Sequence, residues 1–417
     1  MPRFWGRLTR LNNALERAYK QFKLHVETLD VPVVKANNLI IAKNIYAPMD
    51  LPSYNNSAVD GYAVKAEDTY GASPTNPIRL RIKGLLRPGD VPDLYGEVGF
   101  GEAIEVYTGA PLPPGANAVV MYEDTYRVND EIEIIRQVPI YANVNRVGDD
   151  VRKGELIIKK GTQINPYHIT LLVSLGVKRI LVYKPLSIGI IAIGDELVDL
   201  ESHLRPGKKF TSTDILVEKY LEGLGFIHLH RYGVVPDDLE ELTNTLNKAF
   251  RESDIMITIG GTSVSEKDLV PDYVDKYGLW IIRGIALRPG RTTSLAIINN
   301  KPLFALSGNP VAAWVGLEAF VKPLLYLWLD SKPPLNPYVI AYLKQRVVNQ
   351  VGYRSFVRVF LEKVDNTFYA IPYMVKGSSI ISSLAKSHGY IIIPEDHEGY
   401  EKGEQVKVHL LSNNINI

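Results

Sequence analysis

The sequence of 417 residues contains no cysteine. Disulfide bridges, thiolate metal ligands and cysteine nucleophiles are therefore excluded. Excess charge of either sign is also lacking, because 47 Lys and Arg residues stand against 46 Asp and Glu residues and the formal net charge is +1. A balanced chain gives no reason to expect a nucleic-acid or membrane partner. Any binding of anions must then come from a local site.

From the sequence pattern we likewise expect neither a targeting signal nor a membrane-spanning segment. Residues 1–5 contain no apolar signal core. The most apolar stretch, residues 314–329, is interrupted by Glu318, Lys322 and Pro323. We interpret it as too short and too interrupted to span a bilayer, and we expect a buried helix instead. These features favour a cytoplasmic protein.

The spacing of apolar residues divides the chain into several regions. A helical stripe over residues 8–22 predicts an N-terminal helix. Residues 47–145 are rich in glycine, proline and short β-rich runs, with a hairpin signal at Asn129-Asp130, and predict a small β domain. Residues 146–184 are mixed, with a helix that ends at Gly176, and could pack with the first helix as one domain built from two stretches.

Residues 185–330 alternate between strands and helices. The apolar runs 188–193, 226–235, 254–259 and 303–306 predict strands, and helical patterns lie between and after them. This alternation predicts an α/β domain with a mostly parallel sheet and helices on both sides. Residues 331–337 resemble a linker in composition, and the remaining residues predict a small β domain. The fold class is therefore multi-domain α/β plus β.

Three polar loops follow predicted strands, at residues 194–197, 236–238 and 260–268. Parallel sheets bind ligands at the carboxyl ends of their strands, so these loops should converge. Backbone amides of a glycine pair and nearby hydroxyls can cradle an anion. The residues that offer such groups are Gly260, Gly261, Thr262, Ser263 and Ser265. The alternative interpretation of the glycine pair is an ordinary tight turn.

Carboxylates in the same loops suit a metal ion. Glu196, Asp237 and Asp268 could hold a hard cation through oxygen ligands. Such a cation would neutralise phosphate charge during phosphoryl-type chemistry. The alternative for Asp237 and Asp238 is that they form the negatively charged first turn of a helix.

Two further motifs suit an anionic ligand. Arg288 and Arg291 flank a Pro-Gly turn, and a pair of guanidinium groups fits an oxyanion such as phosphate or molybdate. A solvated turn with surface arginines is the alternative. Ser307, Gly308 and Asn309 precede the apolar helix, where Asn309 could cap the helix, face a ligand, or do both. In the predicted β domain, residues 57–63 and 107–113 have the composition of loops. Asp60, in the first of these loops, is a candidate ligand.

Taken together, these motifs resemble the molybdopterin molybdenumtransferase family, which includes the bacterial and archaeal MoeA proteins and the matching part of gephyrin. The resemblance covers nearly the whole chain in the family order. It runs through residues 52–63, 108–113, 148–151, 194–197, 260–268, 288–291 and 307–310, with a weaker echo at 377–378 and 403–406.

The resemblance implies an architecture of four parts. Residues 1–46 and 146–184 would form an elongated linker domain, 47–145 an inserted β domain, 185–330 the α/β domain that binds molybdopterin, and 331–417 a β-barrel-like domain. It also implies a homodimer, with an active cleft between the α/β domain of one subunit and the β domain of the other.

The implied reaction takes adenylylated molybdopterin and molybdate to molybdenum cofactor and AMP, with a divalent cation, usually Mg²⁺. Glu196, Asp237 and Asp268 would position the metal and the phosphates, and Arg288 and Arg291 would attract the oxyanion. The glycine and hydroxyl groups at 260–265 and 307–309 would bind substrate. Asp60, Thr108 and Asp150 would complete the cleft from the β side. A molybdopterin adenylyltransferase is the partner implied by this substrate.

Some positions depart from the family pattern. Ile193 stands where threonine is common, Arg288 and Arg291 where lysines are common, and Ser307 where proline is common. Arginine keeps the charge but alters the geometry of an anion site, which leaves tungstate as an alternative to molybdate. Two other functions remain as alternatives: a molybdopterin adenylyltransferase, and a non-enzymatic scaffold of the gephyrin type.

Overall fold

The computed structural model describes residues 8–261, 269–373 and 377–412. Contacts between Cα atoms separate the chain into two compact units. Unit 1 comprises Met1–Lys43, Lys160–Asn165 and Leu181–Ile417, and unit 2 comprises Asn44–Lys159 and Pro166–Ile180. The boundaries of the four domains predicted from the sequence stay a prediction.

The secondary structure of the described residues is as follows. The α-helices are α1 (Leu11–Gln21), α2 (Pro166–Ser174), α3 (Thr213–Glu222), α4 (Leu239–Glu252), α5 (Leu269–Tyr277), α6 (Pro310–Gly316), α7 (Lys322–Trp328) and α8 (Ser382–Lys386). Short 3₁₀ helices span Val33–Lys35, Ala66–Thr69 and Tyr122–Asp124, and a π-helical turn spans Leu317–Val321.

The strands follow the same chain order. Up to residue 183 they are β1 (Thr28–Pro32), β2 (Ile45–Tyr46), β3 (Asn56–Ser57), β4 (Gly61–Val64), β5 (Ile78–Leu86), β6 (Glu102–Val106), β7 (Ala118–Met121), β8 (Thr125–Val128), β9 (Glu131–Ile134), β10 (Val144–Asn145), β11 (Leu156–Ile158) and β12 (Arg179–Tyr183). The remaining strands are β13 (Leu186–Ile193), β14 (Leu197–Val198), β15 (Lys209–Phe210), β16 (Ile227–Val235), β17 (Ile255–Ile259), β18 (Gly278–Ile282), β19 (Leu287–Arg288), β20 (Ser294–Ile298), β21 (Lys301–Leu306), β22 (Tyr338–Leu343), β23 (Val347–Val348), β24 (Arg354–Val364), β25 (Thr367–Pro372), β26 (Gly389–Ile393), β27 (Gly399–Tyr400) and β28 (Gln405–Leu410).

Unit 2 is built around a sheet of six strands in the order β7-β4-β6-β5-β9-β8. The predicted hairpin is confirmed, because β8 and β9 pair in antiparallel fashion around Asn129, whose φ of 55° suits a tight turn. Alternation along β9 buries Ile132 and Ile134 completely. The helix predicted before Gly176 is α2, and Gly176 ends it with a φ of 71°.

The α/β part of unit 1 contains a sheet in the order β16-β13-β17-β21-β20-β18. The first four strands are parallel, as predicted, whereas β20 pairs with β21 and β18 pairs with β20 in antiparallel fashion, and neither of these two strands was predicted from the sequence. Successive side chains of β13 enter two cores. Ile188 and Ile190 lie in one with α1 and α3, and Ile191 and Ile193 lie in the other with α4 and α5. Helices therefore cover both faces of the sheet.

The apolar helix is confirmed as a core helix, but it is longer than predicted. It runs from Pro310 to Trp328, through α6, the π turn and α7. Within the described residues, this is the one helix with the length and composition to cross a membrane, and 83% of its most apolar window is buried in the protein. We expected a stretch too short to span a bilayer, and that prediction of its length was wrong. Pro310 is tolerated because the first turn of a helix needs no amide donor from it.

The C-terminal part of unit 1 is a closed barrel. The strands β24, β25, β22, β28 and β26 pair in a ring, because β26 also pairs with β24. Ala341, Val359 and Val408 are completely buried in its interior. The barrel-like domain that the family resemblance implied is thus confirmed. β19 extends the same sheet through a parallel pairing with β24, which carries Arg288 alongside Ser355.

Candidate functional site

A cavity of about 1030 Å³ lies at the carboxyl ends of the parallel strands in unit 1. Its walls come from the loops after β13, β16, β17 and β21, from β15, from the turn after β19, and from segments that connect strands of the barrel. The site residues predicted from the sequence that line this cavity are Glu196, Asp237, Gly260, Gly261, Arg288, Arg291, Ser307, Gly308 and Asn309. Loops far apart in sequence therefore meet where the α/β fold places them.

Four predicted site residues, Thr262, Ser263, Ser265 and Asp268, lie outside the described residues. Asp60, Thr108 and Asp150 lie in unit 2. The roles of these seven residues stay predictions.

In unit 2, Asp60 and Thr108 form a defined pair. Oδ1 of Asp60 accepts a hydrogen bond from the amide of Thr108 at 2.7 Å and another from its hydroxyl at 2.9 Å. These two bonds, the amide one first, hold the pKa of Asp60 below its ordinary value. Asp150 is exposed, and its amide donates to the carbonyl of Leu51 at 3.0 Å.

The glycine pair after β17 is required by close approach of the backbone. Gly260 has a φ of 90°, and a Cβ at this position would lie 2.5 Å from the carbonyl oxygen of Ile193. Its amide donates to the carbonyl of Leu306 at 3.0 Å, which joins the ends of β17 and β21. Because that donor is already used, Gly260 shapes the cavity but cannot offer its amide to an anion. Gly261, with a φ of 63°, also lines the cavity.

The two described carboxylates of the proposed metal set have different surroundings. Glu196 is half exposed, and its Oε1 lies 3.2 Å from the ammonium of Lys209. Asp237 and Asp195 clasp each other, because each carboxylate accepts a hydrogen bond from the other residue's amide, at 3.0 and 3.3 Å. The clasp joins the loops after β13 and β16 and fixes Asp237 at the cavity wall.

The alternative interpretation, that Asp237 and Asp238 form the negatively charged first turn of a helix, is met only in part, because that turn begins after Asp238. Asp238 is the N-cap of α4, where its Oδ1 accepts from the amide of Glu241 at 2.9 Å. Asp237 precedes the cap and lines the cavity.

The donor chemistry of this wall fits a hard cation. Glu196 and Asp237 offer carboxylate oxygens, which Mg²⁺ prefers. Across residues 8–261, 269–373 and 377–412, no three His, Asp or Glu side chains gather closely enough to hold a metal by themselves. The third carboxylate of the proposed set, Asp268, is outside these ranges, so the three-carboxylate site stays a prediction.

The arginine turn brings two cations to the cavity. Leu287 is buried and anchors the turn, whereas the side chains of Arg288 and Arg291 are exposed. In the described part of the chain neither guanidinium pairs with a carboxylate. Guanidinium groups without an internal partner, on the wall of a polar cavity, can bind a tetrahedral oxyanion.

The segment before α6 is held by its neighbours rather than by a capping side chain. Asn309 occupies the N-cap position of α6 as predicted, but its side chain makes no capping hydrogen bond. Its amide donates to Oγ of Ser307 at 3.2 Å, and the hydroxyl of Thr213 donates to the carbonyl of Gly308 at 2.9 Å. The carboxamide of Asn309 is therefore not used for capping.

Some residues of the cavity wall were missed in the sequence analysis. They are Lys209, Ser212, Gln350, Tyr353 and Ser379, along with Ser378, whose motif was noted without a role. Ser378 is brought to the cavity by a hydrogen bond from the amide of Val311 to its carbonyl, at 3.0 Å. For Ser378 the sequence contained one signal, the weak family match at Gly377-Ser378. The other residues gave none, because they reach the cavity through long-range packing.

Three family models match the chain in order. They are described as the MoeA N-terminal region (domain I and II), over residues 9–176, the "Probable molybdopterin binding domain", over 189–326, and the MoeA C-terminal region (domain IV), over 341–411.

Relatives match over nearly full length. A protein of Methanocaldococcus jannaschii that is assigned to molybdopterin biosynthesis is 44% identical over 92% of each chain. The molybdopterin molybdenumtransferase of Bacillus subtilis is 33% identical over 94% of this chain and 91% of its own. The crystal structure of the molybdopterin biosynthesis MoeA protein of Pyrococcus horikoshii OT3 matches with a TM-score of 0.83 and 32% identity, over 97% of this chain and all of that one.

Proposed function

The chain belongs to the MoeA family of molybdopterin molybdenumtransferases, and on that premise we propose that it inserts molybdate into adenylylated molybdopterin and releases AMP. One observation carries the proposal. A single cavity presents two carboxylates, Glu196 and Asp237, together with two guanidinium groups, Arg288 and Arg291, that form no ion pair with any residue the structure describes. The reaction needs both kinds of group. The guanidinium groups would hold the oxyanion, and the carboxylates would hold the divalent cation that binds the phosphates of the pterin substrate.

The roles of the cationic side chains follow from their chemistry. Molybdate is a tetrahedral dianion, and Arg288 and Arg291 can each donate two hydrogen bonds in a fixed plane. The sulfur ligands for molybdenum come from the dithiolene of the pterin, so a chain without cysteine can perform the insertion.

The acidic wall serves the phosphate end of the substrate. Glu196 and Asp237, with Asp268, would hold Mg²⁺, which when bound neutralises charge on the phosphates. The clasp between Asp195 and Asp237 keeps this wall in place before the ligand arrives. Asp60, Thr108 and Asp150 would complete the site from the β domain of a partner subunit.

A homodimer is part of the proposal. In unit 2, α2 is an apolar helix that buries only Leu172 fully, while Tyr167 is 83% exposed and Val173 is 51% exposed. Exposed apolar side chains such as these are available for contact with a second copy of the chain. We further propose a cytoplasmic location and a molybdopterin adenylyltransferase as the supplier of the substrate.

The test is a reaction of the purified protein with adenylylated molybdopterin, Mg²⁺ and molybdate. We expect release of AMP in proportion to the molybdenum cofactor formed. Parallel reactions with tungstate in place of molybdate identify the metal that the site prefers. Formation of the adenylate from molybdopterin and ATP would show an adenylyltransferase instead. No AMP release from any mixture would leave only the scaffold alternative.

A further inference from the structure

Lys209 is a cation of the cavity that the sequence motifs do not assign. It begins β15, which pairs in parallel with β14, and its amide donates to the carbonyl of Glu196 at 2.8 Å. Its ammonium lies 3.2 Å from Oε1 of the same glutamate. Main-chain pairing thus places this lysine beside one of the carboxylates proposed to hold a divalent cation.

The backbone that carries Lys209 is well anchored. The amide of Thr211 donates to the carbonyl of Val198 at 2.8 Å, and its hydroxyl donates to Asp214 at 2.6 Å. Asp214 is buried and is also bound by the guanidinium of Arg231 at 2.5 Å. The position of the lysine stem is therefore set by buried groups, while its tip lies in the cavity wall.

The ion pair itself contributes little to folding. The side chains of Lys209 and Glu196 are 62% and 47% exposed, and ion pairs this exposed stabilise proteins only weakly. A lysine ammonium has three donors on a flexible stem, so it can leave a carboxylate for a phosphate oxygen at small cost. The ion pair between Lys209 and Glu196 is therefore better explained by a binding role in the cavity than by a contribution to folding stability.

We propose that Lys209 is a phosphate-binding residue of this cavity and competes with the divalent cation for Glu196. The inference rests on the proposed function, because it takes the ligand to be a phosphorylated pterin nucleotide. Without ligand, Lys209 neutralises Glu196. With ligand, its ammonium donates to a phosphate oxygen and leaves Glu196 to the cation. Along with Arg288 and Arg291, Lys209 makes three cations against two carboxylates in the described wall.

If Lys209 and the divalent cation compete for Glu196, a single substitution of Lys209 should weaken the binding of a phosphate ligand and strengthen the binding of the cation. Replacing Lys209 with methionine removes a donor to phosphate and also removes the rival of the cation. In Lys209→Met we expect ADP, which has two linked phosphates and an adenosine, to bind about tenfold more weakly without divalent cations. We expect Mn²⁺ without nucleotide to bind severalfold more tightly, because Glu196 has lost its counter-charge.

Calorimetry measures the ADP affinity, and the EPR signal of free Mn²⁺ measures the metal affinity. The matched control is Lys219→Met. Lys219 is 61% exposed and pairs with Glu222 at 2.9 Å, but it lies on α3 outside the cavity wall. This control should change neither affinity, and Lys209→Arg should retain most of the ADP affinity.

Unchanged ADP binding in Lys209→Met would overturn the inference. Unchanged or weaker Mn²⁺ binding would also overturn it, since competition requires the two affinities to move apart. These outcomes leave the proposed function standing as long as the wild-type protein binds ADP and releases AMP in the insertion reaction. A wild-type protein that binds neither ADP nor Mn²⁺ would overturn the proposed function together with this inference.

Discussion

Thr108 donates two hydrogen bonds to one oxygen of Asp60, although the residues lie 48 positions apart in the sequence. The amide bond and then the hydroxyl bond lower the pKa of Asp60. A carboxyl whose pKa is lower in the folded state contributes stability above the ordinary pKa of aspartate. That contribution is lost as the pH falls through the lowered value. Asp60 is therefore ionised and oriented at neutral pH.

The first prediction concerns this pair. In Thr108→Val the hydroxyl donor is lost but the amide donor remains, so the pKa of Asp60 should rise part of the way to its ordinary value. Carbon NMR titration of the protein labelled at aspartate measures it, with Thr108→Ser as the control that keeps the hydroxyl. Identical titration of Asp60 in Thr108→Val and wild type would show that the hydroxyl bond has no influence.

The second prediction concerns the acidic wall. Glu196→Gln keeps the shape of the side chain and removes its charge, and because Glu196 is half exposed the fold should survive. Molybdenum insertion should fall by a factor on the order of 10²–10³, the usual cost of one electrostatic group. Asp268→Asn should behave in the same way.

The control for the acidic wall is Glu240→Gln. Glu240 is an exposed glutamate in the first turn of α4, outside the cavity wall. All three variants should keep the thermal midpoint of the wild-type protein. Full activity in Glu196→Gln or Asp268→Asn would remove the role assigned to these carboxylates.

The third prediction separates charge from geometry at the arginine turn. Arg288→Met should raise the concentration of molybdate that half-saturates insertion by about 10–100-fold, because a charge-assisted bidentate contact is lost. Arg288→Lys keeps the charge but loses the planar pair of donors. Its half-saturating molybdate concentration should therefore lie between those of Arg288→Met and the wild type. Arg251→Met, on the exposed side of α4, serves as the control. A molybdate dependence that is the same in all four proteins would contradict an oxyanion site here.

The fourth prediction concerns a buried ion pair in the core helix. Lys322 and Glu318 are 10% and 11% exposed, and their charged atoms are 2.7 Å apart. Burial raises the pKa of Glu318, but the ammonium of Lys322 and the hydrogen bonds from Lys322, Tyr220 and Asn336 outweigh it and hold the pKa below its ordinary value. Lys322→Met leaves the buried carboxylate with its hydrogen bonds from Tyr220 and Asn336 but without a counter-charge, so the free energy of unfolding should fall by about 3–5 kcal/mol at pH 7.

Urea unfolding at several pH values measures this loss. The wild-type contribution is present above the ordinary pKa of glutamate and lost as the pH falls through the lowered value, so the deficit of the variant should shrink in acid. Lys344→Met is the control, because its pair with Glu362 is 2.7 Å long but exposed, and should cost at most about 1 kcal/mol. A loss in Lys322→Met as small as in this control would contradict the account.

The fifth prediction tests the proposed shared cleft. Asp60→Asn and Glu196→Gln should each inactivate a homodimer. In a heterodimer of the two variants, one cleft would combine an intact Glu196 with an intact Asp60 of the partner subunit, so about half of the wild-type activity should return. Co-expression with two affinity tags isolates this species. An inactive heterodimer, or an active monomer in sedimentation, would rule out a cleft built from two subunits.

The parallel sheet and the loops at its carboxyl ends could be predicted from the sequence. Continuous apolar runs such as Ile188 to Ile193 are typical of strands buried on both faces, and glycine after such a run marks a turn. The polar loops that follow these strands then meet, because the carboxyl ends of parallel strands lie at the same edge of the sheet. This is why Glu196, Asp237 and Gly260 were found without any knowledge of the structure.

Other features depend on contacts that no local pattern records. β18 begins at Gly278, immediately after α5 ends at Tyr277, so no loop separates the two elements in the sequence, and the strand was missed. Lys209 reaches the cavity through a parallel pairing of only two residues, and Ser378 reaches it through a contact with α6. Local spacing identifies which loops end at the sheet, whereas side chains brought in by tertiary pairing become visible only in the folded chain.

The central claim is that one cavity receives both the oxyanion and the phosphorylated ligand. A crystal soaked with tungstate and ADP, measured at the tungsten absorption edge, tests it most directly. The account predicts an anomalous peak within hydrogen-bonding reach of Arg288 and Arg291, and ADP phosphates beside Glu196 and Asp237. A tungsten peak away from the two guanidinium groups, or ADP on a different face of the protein, would contradict it.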